Sequence, residues 1–378
     1  VPPLTISSLP LAGRSFPDLG RKMLTMRPLA LQAVAGDDSV LGSYRHSSGL
    51  GLNKATYTEM VQTAFKPDWW NANQPITING KKYSHIEANF SLFFSLSLQL
   101  YQATLVSDSA PYDKYAEGQT SSLTGDQLLG FGVFMGKGKC VNCHGGAAFT
   151  NAAIRRDFST ERLNRMIVGD GARAVYDEGF YNIGVTRTAQ DIGVGGKDPW
   201  GRPLSFSRLA QSNFGLDFWK FEEALPNLTV SANERLVVDG AFKTPTLRNV
   251  ELTAPYFHNG SASTLRQVVE LYNRGGNFAA ANRNNLDADI QPLGLSAQEI
   301  DGLIAFMRAL TDSRVLRHAA PFDHPQLTIT NGHVGDTRSV TNDGKGRATD
   351  ALMTLPAVGR GGYAANQIPR SFLGLAGR

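Results

Sequence analysis

Cysteine is scarce in this sequence, with only Cys140 and Cys143 among 378 residues. Long apolar runs are missing too. The longest, Phe90 to Leu100 (FSLFFSLSLQL), is about half of the roughly 20 residues that cross a bilayer and contains three serines and a glutamine. It reads as a buried helix, and no membrane span is expected. Charge is modest and scattered: the net charge of +4 comes from Lys and Arg placed in ones and twos, which gives nucleic-acid binding little support. The opening residues VPPLTISSLP have neither the basic nor the apolar region of a cleavable signal segment. The expectation is a mature, processed product or the later part of a longer polypeptide. Strand signals are sparse, and no internal repeat is evident.

What is present is the composition of a folded protein, with 42% apolar and 19% charged residues. The two cysteines sit three apart in Cys140-Val141-Asn142-Cys143-His144. This C-x-x-C-H pattern is the attachment signature of a c-type haem. Each thiol adds across one porphyrin vinyl group to form a thioether, and the adjacent histidine ligates the iron. The same Cys pair could serve a redox disulfide or half of a zinc site. Zinc would need a second Cys/His pair at ligand spacing, and a thioredoxin-like motif has no use for the histidine. Because haem c is attached outside the cytoplasm, a periplasmic or exported protein is expected.

Helix signals surround the motif. Thr124-x-x-Gln127 is a capping box that opens a helix carrying Leu128, Phe131, Phe134 and Met135. Ser296-x-x-Glu299 opens another, with Ile300, Leu303, Ile304, Met307 and Leu310 at helical spacing. Met307 belongs to that apolar stripe and reads as core. Thr264-x-x-Gln267 starts a third helix that ends near Tyr272. Further helices are expected near 54 to 65 and 85 to 106.

Residues 240 to 276, GAFKTPTLRNVELTAPYFHNGSASTLRQVVELYNRGG, closely resemble the haem-pocket segment of the bacterial di-haem cytochrome c peroxidases and the related MauG-type enzymes. The resemblance extends to LGRKML at 19 to 24, DSVLGS at 38 to 43 and EANFSLFFSLSLQLYQATLVSD at 87 to 108, which look like a larger subgroup. Members carry two c-type domains, each with its own C-x-x-C-H. One such motif is found here, so the resemblance implies that a first haem domain precedes residue 1 or stands in a companion chain.

Residue roles follow from the same resemblance. In the peroxidases a methionine fourteen positions beyond the histidine of PYFH ligates the second haem opposite its proximal histidine. Here PYFH ends at His258, and fourteen further on stands Tyr272, as in MauG. A phenolate is a hard anionic donor that stabilises ferric iron relative to a thioether. His258 is implied at the haem edge as a hydrogen-bonding residue, and Arg248 in TPTLRN as the partner of a haem propionate, a task suited to a guanidinium fork. Main-chain oxygens of Thr253 and Pro255 are implied as calcium ligands, with side-chain ligation from the missing domain. Trp69 and Trp70 read as packing residues, and His46, His85, His318, His324 and His333 as structural.

The expected fold is mainly α: a helical segment over 1–120 that packs on or completes the missing domain, a cytochrome c-type haem domain over 121–312 enlarged by an insertion at about 150–235, and an irregular tail over 313–378. A six-coordinate haem has no open position for an oxidant. The expected function is therefore the electron-transfer haem part of a periplasmic di-haem oxidoreductase of the peroxidase or MauG kind, with a redox protein donor or substrate as partner. A rubber-oxygenase-like dioxygenase and a non-enzymatic electron carrier are the alternative readings.

Overall fold

The computed structural model describes residues 15–53, 56–153, 162–212, 229–335 and 341–369. Parts of the expected insertion, of the tail and of the first segment lie outside these. In chain order the helices are α1 (Phe16–Leu24), α2 (Tyr57–Ala64), α3 (His85–Thr104), α4 (Pro111–Ala116), α5 (Gly125–Met135), α6 (Phe206–Gln211), α7 (Leu265–Asn273), α8 (Ala279–Asn282), α9 (Ala297–Arg308) and α10 (Ser313–Arg317). The strands are β1 (Ile76–Ile78), β2 (Lys81–Tyr83), β3 (Leu163–Ile167), β4 (Arg173–Asp177), β5 (Phe180–Tyr181), β6 (Phe242–Lys243), β7 (Leu327–His333) and β8 (Asp350–Leu355), paired antiparallel in four two-stranded sheets. Helix makes up about one third of the chain. The mainly α expectation is thus met only in part, because loops and small sheets carry much of the remainder. Among the described residues, no helix is long and apolar enough to cross a membrane.

The chain divides into two compact units, one from residues up to 107 together with those from 313 onward, the other from 108–312. In the first, the Ser84–Glu87 capping box starts α3. Gly20 of α1 lies so close to it that a Cβ would stand 2.5 Å from the Glu87 carbonyl oxygen. Leu24, Val61, Phe90 and Phe93 form the core between α1, α2 and α3. The tail is no loose appendage: Ser39 Oγ donates to Asp323 at 2.6 Å, and Gln32 Nε2 donates to the Gln326 carbonyl at 2.8 Å. Trp70 packs against this core and donates its indole N–H to the Phe65 carbonyl, whereas Trp69 is half exposed.

The second unit is organised by the crossing of α5 and α9. Both helices begin with the expected capping boxes, Thr124–Gln127 and Ser296–Glu299, which satisfy backbone donors that a helix start leaves open. They meet at glycine: a Cβ on Gly130 would lie 1.9 Å from the Gly302 carbonyl oxygen. That approach brings Phe134 and Phe306 to 5.2 Å between ring centroids, with Phe149 tilted against both. Leu265 and Val269 of α7, which starts at the expected Thr264–Gln267 box, join the same core, as does Met307.

The insertion is not without structure. β3 and β4 form a hairpin, and the two-residue pair β5–β6 sets Phe180 opposite Lys243 and Tyr181 opposite Phe242. Asp177 at the end of β4 is buried, and it accepts the backbone N–H groups of Phe206 and Ser207 at the start of α6 at 2.7 and 2.9 Å.

Gly130→Ala should force α5 and α9 apart. Overpacking of this kind costs about 1–3 kcal/mol, so the thermal midpoint should fall, and an unchanged midpoint would show that the crossing does not depend on this contact.

Candidate haem site

Lys139 takes a left-handed conformation (φ 56°) at the end of the loop after α5, and Cys140–Asn142 form a single 3-10 turn. The turn brings the two thiols and His144 to the wall of one cavity of about 410 Å³, together with Tyr272 from α7. The rest of its wall includes apolar residues of α5, α7 and α9, the loop before and within PYFH with Thr253, Pro255, Tyr256 and His258, and Tyr181 to Ile183 of the insertion. The structure therefore gathers Cys140, Cys143, His144, Tyr272, His258, Thr253 and Pro255 at one cavity. Arg248 is not among its lining residues.

Each of the central groups is held in a defined state. His144 Nδ1 lies 3.1 Å from the Phe149 carbonyl, so donation there leaves the lone pair on Nε2, the tautomer needed by a metal ligand. Burial pushes its pKa down to about 4, opposed by the Phe149 and Pro245 carbonyls, so the imidazole is neutral near pH 7. Burial pushes the Cys140 thiol up to about 12 and the Cys143 thiol well above its usual value. A redox-active Cys pair has a lowered thiol pKa, so these thiols do not suit disulfide exchange. Among the described residues, no cluster of three His, Cys, Asp or Glu side chains is arranged to hold a metal ion, which also leaves the pair without zinc partners.

Tyr272 is half-buried on the cavity wall; its low-dielectric surroundings, and then the nearby sulfurs and Asp287, raise its pKa far above that of an ordinary phenol. The Tyr256 hydroxyl is buried without a hydrogen-bond partner on the same cavity. Buried polar groups are nearly always satisfied. The unpartnered Tyr256 hydroxyl and the Tyr272 phenol on one apolar cavity, together with two thiols and a neutral imidazole, fit a covalently attached haem.

His258 lies flat on Phe242, with ring centroids 3.5 Å apart and planes 7° apart, and its Nε2 is 2.9 Å from Asp191 Oδ2. Asp191 belongs to the insertion, and no sequence signal pointed to it. Arg248 forms a two-pronged ion pair with Asp113, at 3.0 and 2.9 Å, and donates Nε–H to the Ala147 carbonyl at 2.7 Å. It braces the loop after the haem motif.

No family model matches the sequence. The chain is 34% identical over 223 residues to cytochrome-c peroxidase IdrP1 of Pseudomonas sp. (strain SCT), a match covering 58% of this chain and 50% of that protein. It is 28% identical over 214 residues to the methylamine utilization protein MauG of Methylorubrum extorquens, covering 57% and 42%. A solved structure of a MauG-like protein associated with microbial copper homeostasis aligns at 19% identity and a TM-score of 0.41, covering 85% of this chain and 95% of that one. The chain spans about half the length of the relatives it matches. Motif and cavity define a c-type haem-binding unit. The chain is similar over about half their length to proteins named cytochrome-c peroxidase and MauG.

Beside Cys143, burial pushes the Asp287 carboxyl up from 3.8 to about 6, with Asp289 adding repulsion and the Asp289 N–H opposing it. The folded state holds this proton more tightly than the unfolded chain does. Its contribution to stability is therefore complete below about pH 4 and lost as pH rises through 6. Asp287→Asn should remove that loss, raising stability at pH 7 by up to about 3 kcal/mol relative to the parent. Urea unfolding at pH 4 and pH 7 measures this, and an unaltered pH slope would contradict it.

Proposed function

We propose that this chain is the C-terminal, electron-transfer haem part of a periplasmic di-haem c-type oxidoreductase that turns over peroxide in the manner of the peroxidases or MauG. The observation that carries this reading is the convergence of Cys140, Cys143, His144 and Tyr272 on one cavity. In this reading residues 121–312 form a cytochrome c-type domain and residues 1–120 pack on or complete the first haem domain.

Bound here through two thioethers, haem c supplies a one-electron centre whose ferric state is favoured by an anionic oxygen ligand. The chain's own groups set its surroundings. His144 would hold the iron through Nε2 while the Phe149 carbonyl fixes its ring, and Tyr272 would supply a phenol oxygen from α7. Held by both residues, the haem would serve electron transfer, with the oxidant handled by the first haem domain. His258, fixed by Asp191 and Phe242, presents its imidazole at the cavity edge. The main-chain oxygens of Thr253 and Pro255 would supply part of a calcium site completed by the first haem domain, since oxygen donors suit that cation.

Two variants of the haem-loaded protein test the ligand set. Tyr272→Phe should convert a six-coordinate low-spin ferric spectrum to a five-coordinate high-spin one; an unchanged spectrum would remove Tyr272 as the ligand. Cys143→Ala should keep haem through a single thioether and shift the alkaline pyridine haemochrome band to longer wavelength. Replacing both cysteines should leave no covalent haem on a denaturing gel. Hydrogen-peroxide turnover with a cytochrome donor tests the activity, and its absence in the di-haem holoprotein would favour a carrier.

A further inference from the structure

The described part of the insertion places two tyrosines and a glutamate around Cys143. Tyr181 lines the haem cavity. It also lines, with Tyr176, Met166, Asp287 and Cys143, a second cavity of about 220 Å³ that shares Cys143 and Asp289 with the first. The two rings lie 5.6 Å apart between centroids, tilted by 39°. Both hydroxyls donate to one carboxylate: Tyr176 to Glu178 Oε2 at 2.8 Å and Tyr181 to Glu178 Oε1 at 3.1 Å. Asn151, which follows the haem motif, donates its amide to the Tyr181 oxygen at 3.4 Å. The turn between the tyrosines is held tight by Gly179 (φ +83°), where a Cβ would stand 2.5 Å from the Ala152 backbone.

We propose that Tyr181 and Tyr176, sharing Glu178, form a proton-coupled electron relay between the haem cavity and a small aromatic one-electron donor bound in the second cavity. The proposal rests on the peroxide-driven reading above, which supplies the oxidant. Asp287 and Asp289 on the second cavity favour a neutral or cationic donor over an anionic one.

A phenol is hard to oxidise while it keeps its proton, and loses an electron readily when a base accepts that proton in the same step. Burial raises the pKa of both hydroxyls far above the ordinary value, so neither ionises unaided. Tyr181 gives one electron to the oxidised haem and its proton to Glu178 Oε1, leaving a neutral phenoxyl radical and a carboxylic acid. Tyr176 then gives an electron to Tyr181 and its proton to Oε2, while Oε1 returns its proton to Tyr181. The aromatic donor finally gives one electron to Tyr176, which recovers its proton from Glu178. One electron has moved inward, the donor has become its radical cation, and Glu178 is again a carboxylate.

The test uses the di-haem holoprotein, treated with hydrogen peroxide and freeze-quenched for electron paramagnetic resonance, with the Soret band followed in parallel. A radical whose hyperfine pattern narrows on ring-deuterated tyrosine labelling is expected. Tyr181→Phe and Glu178→Gln should each reduce it at least tenfold with the resting haem spectrum unchanged. Tyr176→Phe should retain the radical but slow its quenching by tetramethyl-p-phenylenediamine at least tenfold. A Soret response without a tyrosyl radical, or a radical indifferent to Tyr181→Phe, overturns the relay alone. No Soret response to peroxide overturns the peroxide reading, and the relay falls with it.

Discussion

The backbone contact between Gly130 and Gly302 is the constraint on which the haem unit depends. With no side chain at either position, α5 and α9 approach closely enough for Phe134, Phe149 and Phe306 to pack edge to face across the crossing. Aromatic rings in this arrangement bury large areas in fixed relative orientations. Phe149 then has its ring in that core and its carbonyl at His144 Nδ1. The orientation of the His144 ring is thus set by helix packing several residues away rather than by the C-x-x-C-H turn alone.

Electrostatics around the cavity follow from burial more than from charge. The neutral imidazole of His144, the neutral thiols and the raised pKa of Tyr272 are all consequences of low dielectric surroundings. Charged groups around the cavity are paired. Arg248 is paired with Asp113 over the attachment loop, and Lys139 with Asp289 at 2.9 Å. A buried pair of this kind adds little net stability, yet removing one partner is costly because the other charge remains. Arg248 and Asp113 are best understood as a unit that fixes the loop carrying Ala147.

Much of this was legible in the sequence because its signals were local. The three capping boxes at Thr124, Thr264 and Ser296 each start a helix, since the interaction spans three residues and needs no tertiary partner. The haem motif and Tyr272 reach one cavity because α7 packs against the core built by α5 and α9. β5 and β6 were not legible: they are two residues each and pair across residues 182–241, so neither has a period of its own to read. Asp191 and Asp113 were missed for the same reason, as their partners lie 67 and 135 residues away. The tail read as irregular from its Gly, Pro and Asn content, although hydrogen bonds to residues 32–39 hold it in place.

The β5–β6 pair also bears on how freely this chain can vary in length. It closes residues 182–241 into one loop, fixing Tyr181 and Phe242 beside each other whatever lies between them along the chain. The entropy of closing a loop grows only with the logarithm of its length, so that doubling it costs about 0.6 kcal/mol. Residues can therefore be added or removed beyond this clasp at little thermodynamic expense to the cavity wall, provided the two strands still find each other.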